Sequence, residues 1–330
     1  MPGVFDEFVR TDSTSMFPSA FPDATLSAGP QARTGERLTA AAVDGLASTA
    51  AALEGYAPPQ VDLMLTADPC GQTYLSRQRV GYPFHLGRSL RVPGDPPGMP
   101  TLYVQSCSGG IFEHDRLAWR IVAGEGTQAH LTTSASTIVH GMQAGNAVQE
   151  VCIEAQAGCL LEYLPDPLVL FPGARLATRL RLRVHPEATV LACDSLVPHD
   201  PHGAGSHFDW IHAELTVEDP AGAPIARDRY RLTGAALASA TPGVTGRFPC
   251  QGGFVALCEA ARVPGLVDAL RASLPAGDDV YAGVSQLPRR RGAWMRVLAR
   301  DAAALREALC GAWYAARSVL VGAAPMPRRK

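Results

Sequence analysis

The chain has 330 residues, 47% hydrophobic and 18% charged, which is enough apolar material for one large domain or two average ones. Its formal net charge of −2 excludes the basic footprint of a nucleic-acid-binding protein. The eight cysteines form no CxxC pair and fit neither a zinc module nor a small disulfide framework. This usage favours reduced, mostly buried thiols in a cytoplasmic protein.

Residues 1–60 are predicted to form a flexible leader. They are rich in Ala, Gly, Pro, Ser and Thr and hold few large apolar groups, and only Thr39–Leu53 has a helical pattern. Acidic residues stand at Asp6, Glu7 and Asp12, where a signal peptide needs a basic and then an apolar run. We therefore expect no export signal, and no segment that spans a membrane.

Residues 61–330 are predicted to form a single, mostly β domain. The segments VDLMLT, TLYVQS and LAWRIV have the composition of strands. Apolar residues alternate strictly with arginines between Leu176 and Val184, and with polar residues between Ile211 and Glu218. Such alternation is typical of a strand with one buried and one exposed face.

A short turn followed by a strand-like run recurs through the middle of the chain. Four copies begin at Val122, Ile153, Val184 and Val217, spaced 31, 31 and 33 residues apart. A period in this range indicates a stacked architecture, in which each unit buries its apolar face against its neighbours. An ordinary β-sandwich with regularly spaced turns is the alternative.

Helical periodicity appears near the C-terminus. Pro264–Leu274 has a proline near its start and is long enough for about three turns. Asp301–Val321 places an apolar stripe along one face, with Asp301 as the expected N-cap. The predicted fold is therefore a coiled, β-helix-like body with two C-terminal helices.

One glycine-containing segment invites a nucleophile hypothesis. Cys107 and Ser108 precede Gly109 and Gly110, whose amides would suit an oxyanion site in a cysteine or serine hydrolase. A tight turn between two strands explains the glycines equally well. No histidine or acid can be assigned to this segment from the sequence, so we prefer the turn.

A second group consists of histidines in a segment rich in proline and glycine. Imidazole is a good ligand for nickel, zinc and copper, so the group predicts a transient metal site or, as an alternative function, nickel storage. Exposed loop histidines that are simply solvated account for the same pattern. The histidines are His199, His202, His207 and His212.

Carboxylates embedded in apolar β-runs form a third group. They are costly to bury without a partner, so each must pair with an arginine or face a wet interior. The residues are Glu162, Asp166, Asp194 and Asp228.

Three runs together resemble the urease accessory protein D family, also called UreD or UreH: LTTSASTIVHGM (131–142), LEYLPDPLVLFPGARL (161–176) and GVSQLPRRRGAWMRVLA (283–299). The resemblance extends in order over residues 61–330. It implies a non-catalytic scaffold with a β-helical body that binds apo-urease on one side and an F-type accessory protein on the other. The F-type protein would recruit a G-type GTPase that carries nickel.

The resemblance also implies a water-filled tunnel through which Ni²⁺ reaches the apoenzyme, with no tightly bound cofactor. Positions that match the family's motifs are the tunnel-lining candidates. They are Asp115, Thr132, Thr133, Glu162 and Asp194.

Overall fold

The computed structural model of the protein describes residues 58–326, so most of the predicted leader, including Thr39–Leu53, lies outside the described residues. The strands in the described part are β1 (Val61–Ala67), β2 (Thr73–Val80), β3 (Phe84–Leu86), β4 (Thr101–Ser106), β5 (Arg116–Ala123), β6 (Gln128–Thr133), β7 (Thr137–Val139), β8 (Ala147–Ala155), β9 (Leu160–Tyr163), β10 (Leu168–Leu170), β11 (Arg175–Val184), β12 (Thr189–Pro198), β13 (Trp210–Glu218), β14 (Pro224–Leu232), β15 (Cys250–Leu257), β16 (Val280–Gln286) and β17 (Gly292–Ala299). The helices are α1 (Gly234–Ala238), α2 (Val263–Ala272) and α3 (Ala302–Val321).

Two large sheets face each other. Sheet A has the order β14-β13-β11-β8-β5-β1-β2, and sheet B has the order β16-β17-β15-β12-β9-β6-β4-β3. The chain passes from a strand of sheet A through a turn to a strand of sheet B, and then returns past a short third face. On that face β7, β10 and the end of β12 pair in parallel.

The predicted stacked architecture is confirmed. β5, β8 and β11 pair in parallel in sheet A, and β6, β9 and β12 do so in sheet B, so successive coils lie on one another. This parallel pairing excludes the sandwich alternative, whose sheets are antiparallel. Ile121 pairs with Ile153 and Ile153 with Leu182, so the true offsets are 32 and 29 residues rather than 31 and 31.

The fourth copy of the repeat does not continue the coil. After β13 the chain reverses and β14 pairs with it in antiparallel fashion at the edge of sheet A. The Asp219 carboxylate accepts the backbone N–H groups of Ala221 and Ala223, at 3.0 and 2.9 Å, and Gly222 adopts a φ of 85°. These features close a tight reversal, which ends the stack.

The main core lies between the sheets. Leu63, Ile121, Ile153 and Leu182 occupy neighbouring strands of sheet A and are at most 1% exposed. They pack against Leu131 and other apolar residues of sheet B. Burying an aliphatic side chain of this size contributes about 1.5–3 kcal/mol to the stability of the fold. This row of side chains therefore keeps successive coils in register.

The two predicted C-terminal helices are present as α2 and α3, and they pack on the outer face of sheet B. Asp301 caps α3, as predicted, by accepting the backbone N–H of Ala304 at 2.9 Å. The short helix α1, capped by Thr233, was not predicted. None of the helices in residues 58–326 is long and apolar enough to cross a bilayer.

Candidate functional site: a polar cavity between the sheets

A cavity of about 220 Å³ lies between the sheets, beside the short third face. A space of this volume holds several water molecules. Apolar residues such as Trp119 and Leu180 form part of its wall, whereas Thr133, Asp166 and Asp194 bring hydroxyl and carboxylate groups to it. Of the five predicted tunnel-lining residues, Thr133 and Asp194 therefore meet at one internal space.

Asp194 is an acid of this cavity whose ionisation is perturbed by its surroundings. It lies on β12 opposite Gly253 of β15, where a Cβ atom would come within 2.6 Å of Asp194 Oδ1. Burial raises the pKa of Asp194 to about 6; the Arg296 guanidinium opposes this shift and the Asp228 carboxylate adds to it. Asp194 therefore exchanges its proton near pH 6, and a cation in the cavity would favour its charged form.

Arg296 joins this acid to the edge of sheet A. Its guanidinium pairs with Asp228 and lies over the ring of Tyr230, 5.0 Å from the ring centroid. Burial raises the pKa of Tyr230, which keeps its hydroxyl protonated beside the cavity. Asp228, one of the carboxylates noted in the sequence, is thus satisfied by an arginine 68 residues away.

A second, smaller cavity of about 40 Å³ lies on the helix side of sheet B, next to α3. The two cavities adjoin each other, because four residues line both of them: Pro165, Asp166, Cys193 and Ser195. Asp166 is anchored at this boundary because its backbone N–H donates to Thr133 Oγ1 at 2.8 Å. Polar groups therefore run from the inside of the body towards α3.

Glu162 belongs to a different, fully buried polar cluster. Its Oε2 atom lies 2.7 Å from Nδ1 of His130, the neighbouring residue on β6, and accepts a bond of 3.2 Å from Arg317 of α3. Arg317 also donates to Asp95 at 2.9 Å. Glu162, His130 and Arg317 are all at most 2% exposed. The cluster fastens α3 and the loop containing Asp95 to sheet B.

Neither His130 nor Arg317 was predicted from the sequence. Arg317 follows Trp313 by four residues and lies on the apolar stripe of α3, so a charged residue within that stripe was the signal for a buried ion pair. The pairing with Glu162 spans 155 positions, which no local pattern specifies.

The remaining tunnel-lining candidates occupy structural positions. Thr132 is buried on the helix side of sheet B and donates to the carbonyl of Leu164 at 2.7 Å. Asp115 accepts the backbone N–H of Phe112 at 2.8 Å and so closes the turn before β5. Neither residue lines the large cavity, so their part in a tunnel stays a prediction.

The four candidate metal-binding histidines are not gathered together. His199, His202 and His207 are exposed, whereas His212 lies on β13 with its ring 4.7 Å from that of Trp210. Within residues 58–326, no group of three or more His, Cys, Asp or Glu side chains is positioned to hold a metal ion. A transient site in this loop stays a prediction.

The segment with the two glycines forms a turn. Ser108 Oγ donates to the carbonyl of Gly110 at 2.7 Å, and Gly110 has a φ of 146° with the carbonyl of Ile138 too close for any Cβ. In the described part of the chain, Cys107 and Ser108 form no hydrogen bond with a histidine or a carboxylate. The geometry therefore favours the turn over a nucleophile.

Comparison with known proteins identifies the family to which this chain is related. The sequence profile of the family described as UreD urease accessory protein matches residues 59–330. The chain belongs to the UreD family of urease accessory proteins. It is 45% identical over 262 residues to Urease accessory protein UreD 1 of Pseudomonas syringae pv. syringae (strain B728a), which covers 79% of this chain and 92% of the relative. It is 37% identical over 297 residues to Urease accessory protein UreD 1 of Methylorubrum extorquens (strain PA1), covering 88% of this chain and 100% of the relative.

Membership of the UreD family supports a role in urease maturation. The relatives are named accessory proteins, which suggests a non-enzymatic role for this chain as well.

Proposed function

We propose that this protein is a cytoplasmic scaffold for urease maturation, which docks apo-urease and an F-type accessory protein and, through the latter, a G-type GTPase. The observation that carries the proposal is the match to the UreD family over the whole described body. The coiled body with helices on one side offers separate faces to separate partners.

Transit of Ni²⁺ through the body completes the proposal. Nickel enters as cargo, passes the large cavity and crosses the boundary at Asp166 towards the helix side. Carboxylates, hydroxyls and water bind a borderline cation without trapping it, because no more than a few weak ligands act at once.

Asp194 takes part through proton exchange. Its raised pKa means that the charged carboxylate is poorly solvated in the cavity, so an arriving cation displaces the proton and is stabilised in return. When the cation leaves, the proton returns. This exchange lowers the barrier to passage without creating a deep binding site.

The test is urease activation with Asp194→Asn in cells that lack the native copy of this protein. We expect several-fold less nickel per urease and a matching loss of urease activity, while apo-urease still co-purifies with the variant. Asp278→Asn is the matched control, because the Asp278 side chain is 96% exposed and lies outside both cavities. Normal nickel loading with Asp194→Asn would contradict the path, whereas loss of partner binding would assign Asp194 a structural role instead.

A further inference from the structure

The outer face of sheet A is uncovered by the described helices and strongly basic. It is formed by the side chains that point away from the core on all seven strands. We call it the basic face. Its charged residues are the arginines Arg77, Arg79, Arg116, Arg120, Arg175, Arg179, Arg181, Arg183, Arg227, Arg229 and Arg231, and the acids Asp62, Glu150, Glu154, Glu214 and Glu218.

The charge of this face is opposite to that of the chain as a whole. Eleven arginines against five acids give the face a formal charge of +6, whereas the whole chain carries −2. The face therefore concentrates more than a third of the chain's 29 basic residues. Such an asymmetry attracts an acidic surface and speeds encounter with it.

Pairing within the face leaves arginines in surplus. Each of the five acids already contacts an arginine of the same face, for example Asp62 with Arg77 at 3.2 Å and Glu214 with Arg227 at 2.9 Å. Arg229 and Arg231, by contrast, are exposed and pair with no carboxylate of residues 58–326. Their guanidinium groups can therefore bind a carboxylate of another molecule in bidentate fashion.

Aromatic rings lie beside these two arginines. Trp210 and His212 project from β13 on the same face, and Arg231 is the register partner of His212. Tryptophan and arginine are among the residues most enriched in the energetically dominant centres of protein interfaces. One corner of the basic face thus combines an aromatic anchor, Trp210, with arginines that pair with no carboxylate in the described part of the chain.

The size of the face suits a folded partner. Seven strands spaced about 4.8 Å apart span roughly 29 Å, and eight residues at about 3.3 Å each span roughly 26 Å. The resulting area of roughly 750 Å² is close to what one partner contributes to a stable interface of standard size. A surface of this extent fits another protein's surface better than a single extended peptide.

We propose that the basic face is the docking surface for a partner protein of the urease maturation complex, which meets it with an acidic surface. The inference rests on the proposed function for its set of partners. A protein is favoured over a nucleic acid or a lipid headgroup layer because the five interleaved acids would repel a continuous array of phosphates while tolerating a patterned protein surface.

The experiment is co-purification of the full-length tagged chain with urease subunits and the F- and G-type accessory proteins produced in the same cells. We expect the Arg229→Glu/Arg231→Glu variant to retain at least tenfold less of one partner at 150 mM NaCl. Retention by the unchanged chain should fall between 50 and 500 mM NaCl, because salt screens exposed charges. Arg289→Glu/Arg290→Glu is the matched control, since it makes the same charge change on the exposed β16–β17 turn, and it should retain every partner.

Several outcomes would overturn the inference. Equal retention of all partners by the variant would do so while leaving the proposed function intact; no retention by the unchanged chain would remove both. Increased retention of a partner by the variant would mean that the basic face binds residues 1–57 of the same chain, which hold seven acids and three arginines, in competition with the partner. Binding of the unchanged chain to RNA or to phosphatidylserine vesicles, lost in the variant with every partner retained, would assign the face to phosphates. If the double reversal fails to fold, Arg229→Gln/Arg231→Gln must still reduce retention for the inference to stand.

Discussion

Asp194→Asn tests whether the carboxylate in the large cavity is destabilised by burial. The pKa of Asp194 rises from 3.8 to about 6 in the folded chain. Between these values Asp194 holds a proton in the folded protein that it has released in the unfolded protein. The contribution of Asp194 to the free energy of unfolding therefore falls as the pH rises through this window, and it is constant above the window. One pKa unit corresponds to about 1.4 kcal/mol, so the whole window amounts to roughly 3 kcal/mol.

The assay is urea unfolding of the wild type and of Asp194→Asn at several pH values. Relative to the wild type, the variant should gain about 2 kcal/mol between pH 4.5 and pH 7.5, because about 1.5 units of the window lie above pH 4.5. The control variant Asp278→Asn should show no such gain, since that side chain is 96% exposed. Parallel pH profiles for the wild type and Asp194→Asn would refute the burial of this carboxylate.

Three further sets of substitutions test the buried Arg317 cluster, the β16–β17 turn and the packing around Asp194. Arg317→Met leaves two buried carboxylates without their shared partner and should lower the free energy of unfolding in urea by about 3–5 kcal/mol. The control Arg306→Met, on the same helix, should lower it by under about 1 kcal/mol. Equal losses of stability in the two variants would show that the cluster does not hold α3 in place. Arg289→Asn/Arg290→Gly should raise the free energy of unfolding by about 1–2 kcal/mol, because both arginines adopt a positive φ, 55° and 51°. Replacing both arginines with alanine, which gains nothing at a positive φ, should not raise it. Gly253→Ala should displace the Asp194 carboxylate and the Trp294 ring, lowering the thermal midpoint and the nickel delivered to urease; unchanged values of both would refute this close packing.

The coils and the C-terminal helices could be predicted from local patterns. Turns such as those at Gly126 and Gly158, both with a φ of 65°, repeat with the period of the coil. The capping Asp301 and the apolar stripe after it specify α3. The reversal after β13 could not be predicted, because a turn that continues the coil and a turn that closes a hairpin have similar compositions. Their difference lies in geometry, here the bonds made by Asp219.

The candidate site was predicted only in part. Asp194 was found because a polar residue in a buried strand must face either a partner or water, whereas Thr133 was found only through the resemblance to the family's motif. Glu162 was found for the same reason as Asp194, but its partners could not be assigned, since Arg317 and Asp95 come from distant parts of the chain. The basic face also escaped notice, because neither the overall charge nor any single run of residues reveals which arginines share one side of a sheet.

The most direct test of the account is co-purification of the tagged chain from cells that produce urease subunits and the other urease accessory proteins, combined with the nickel content of the urease formed. We expect apo-urease and the F-type protein to be retained, and we expect that removing this chain leaves urease assembled but without nickel. Retention of neither protein, together with urease that is fully loaded with nickel when this chain is absent, would contradict the scaffold role.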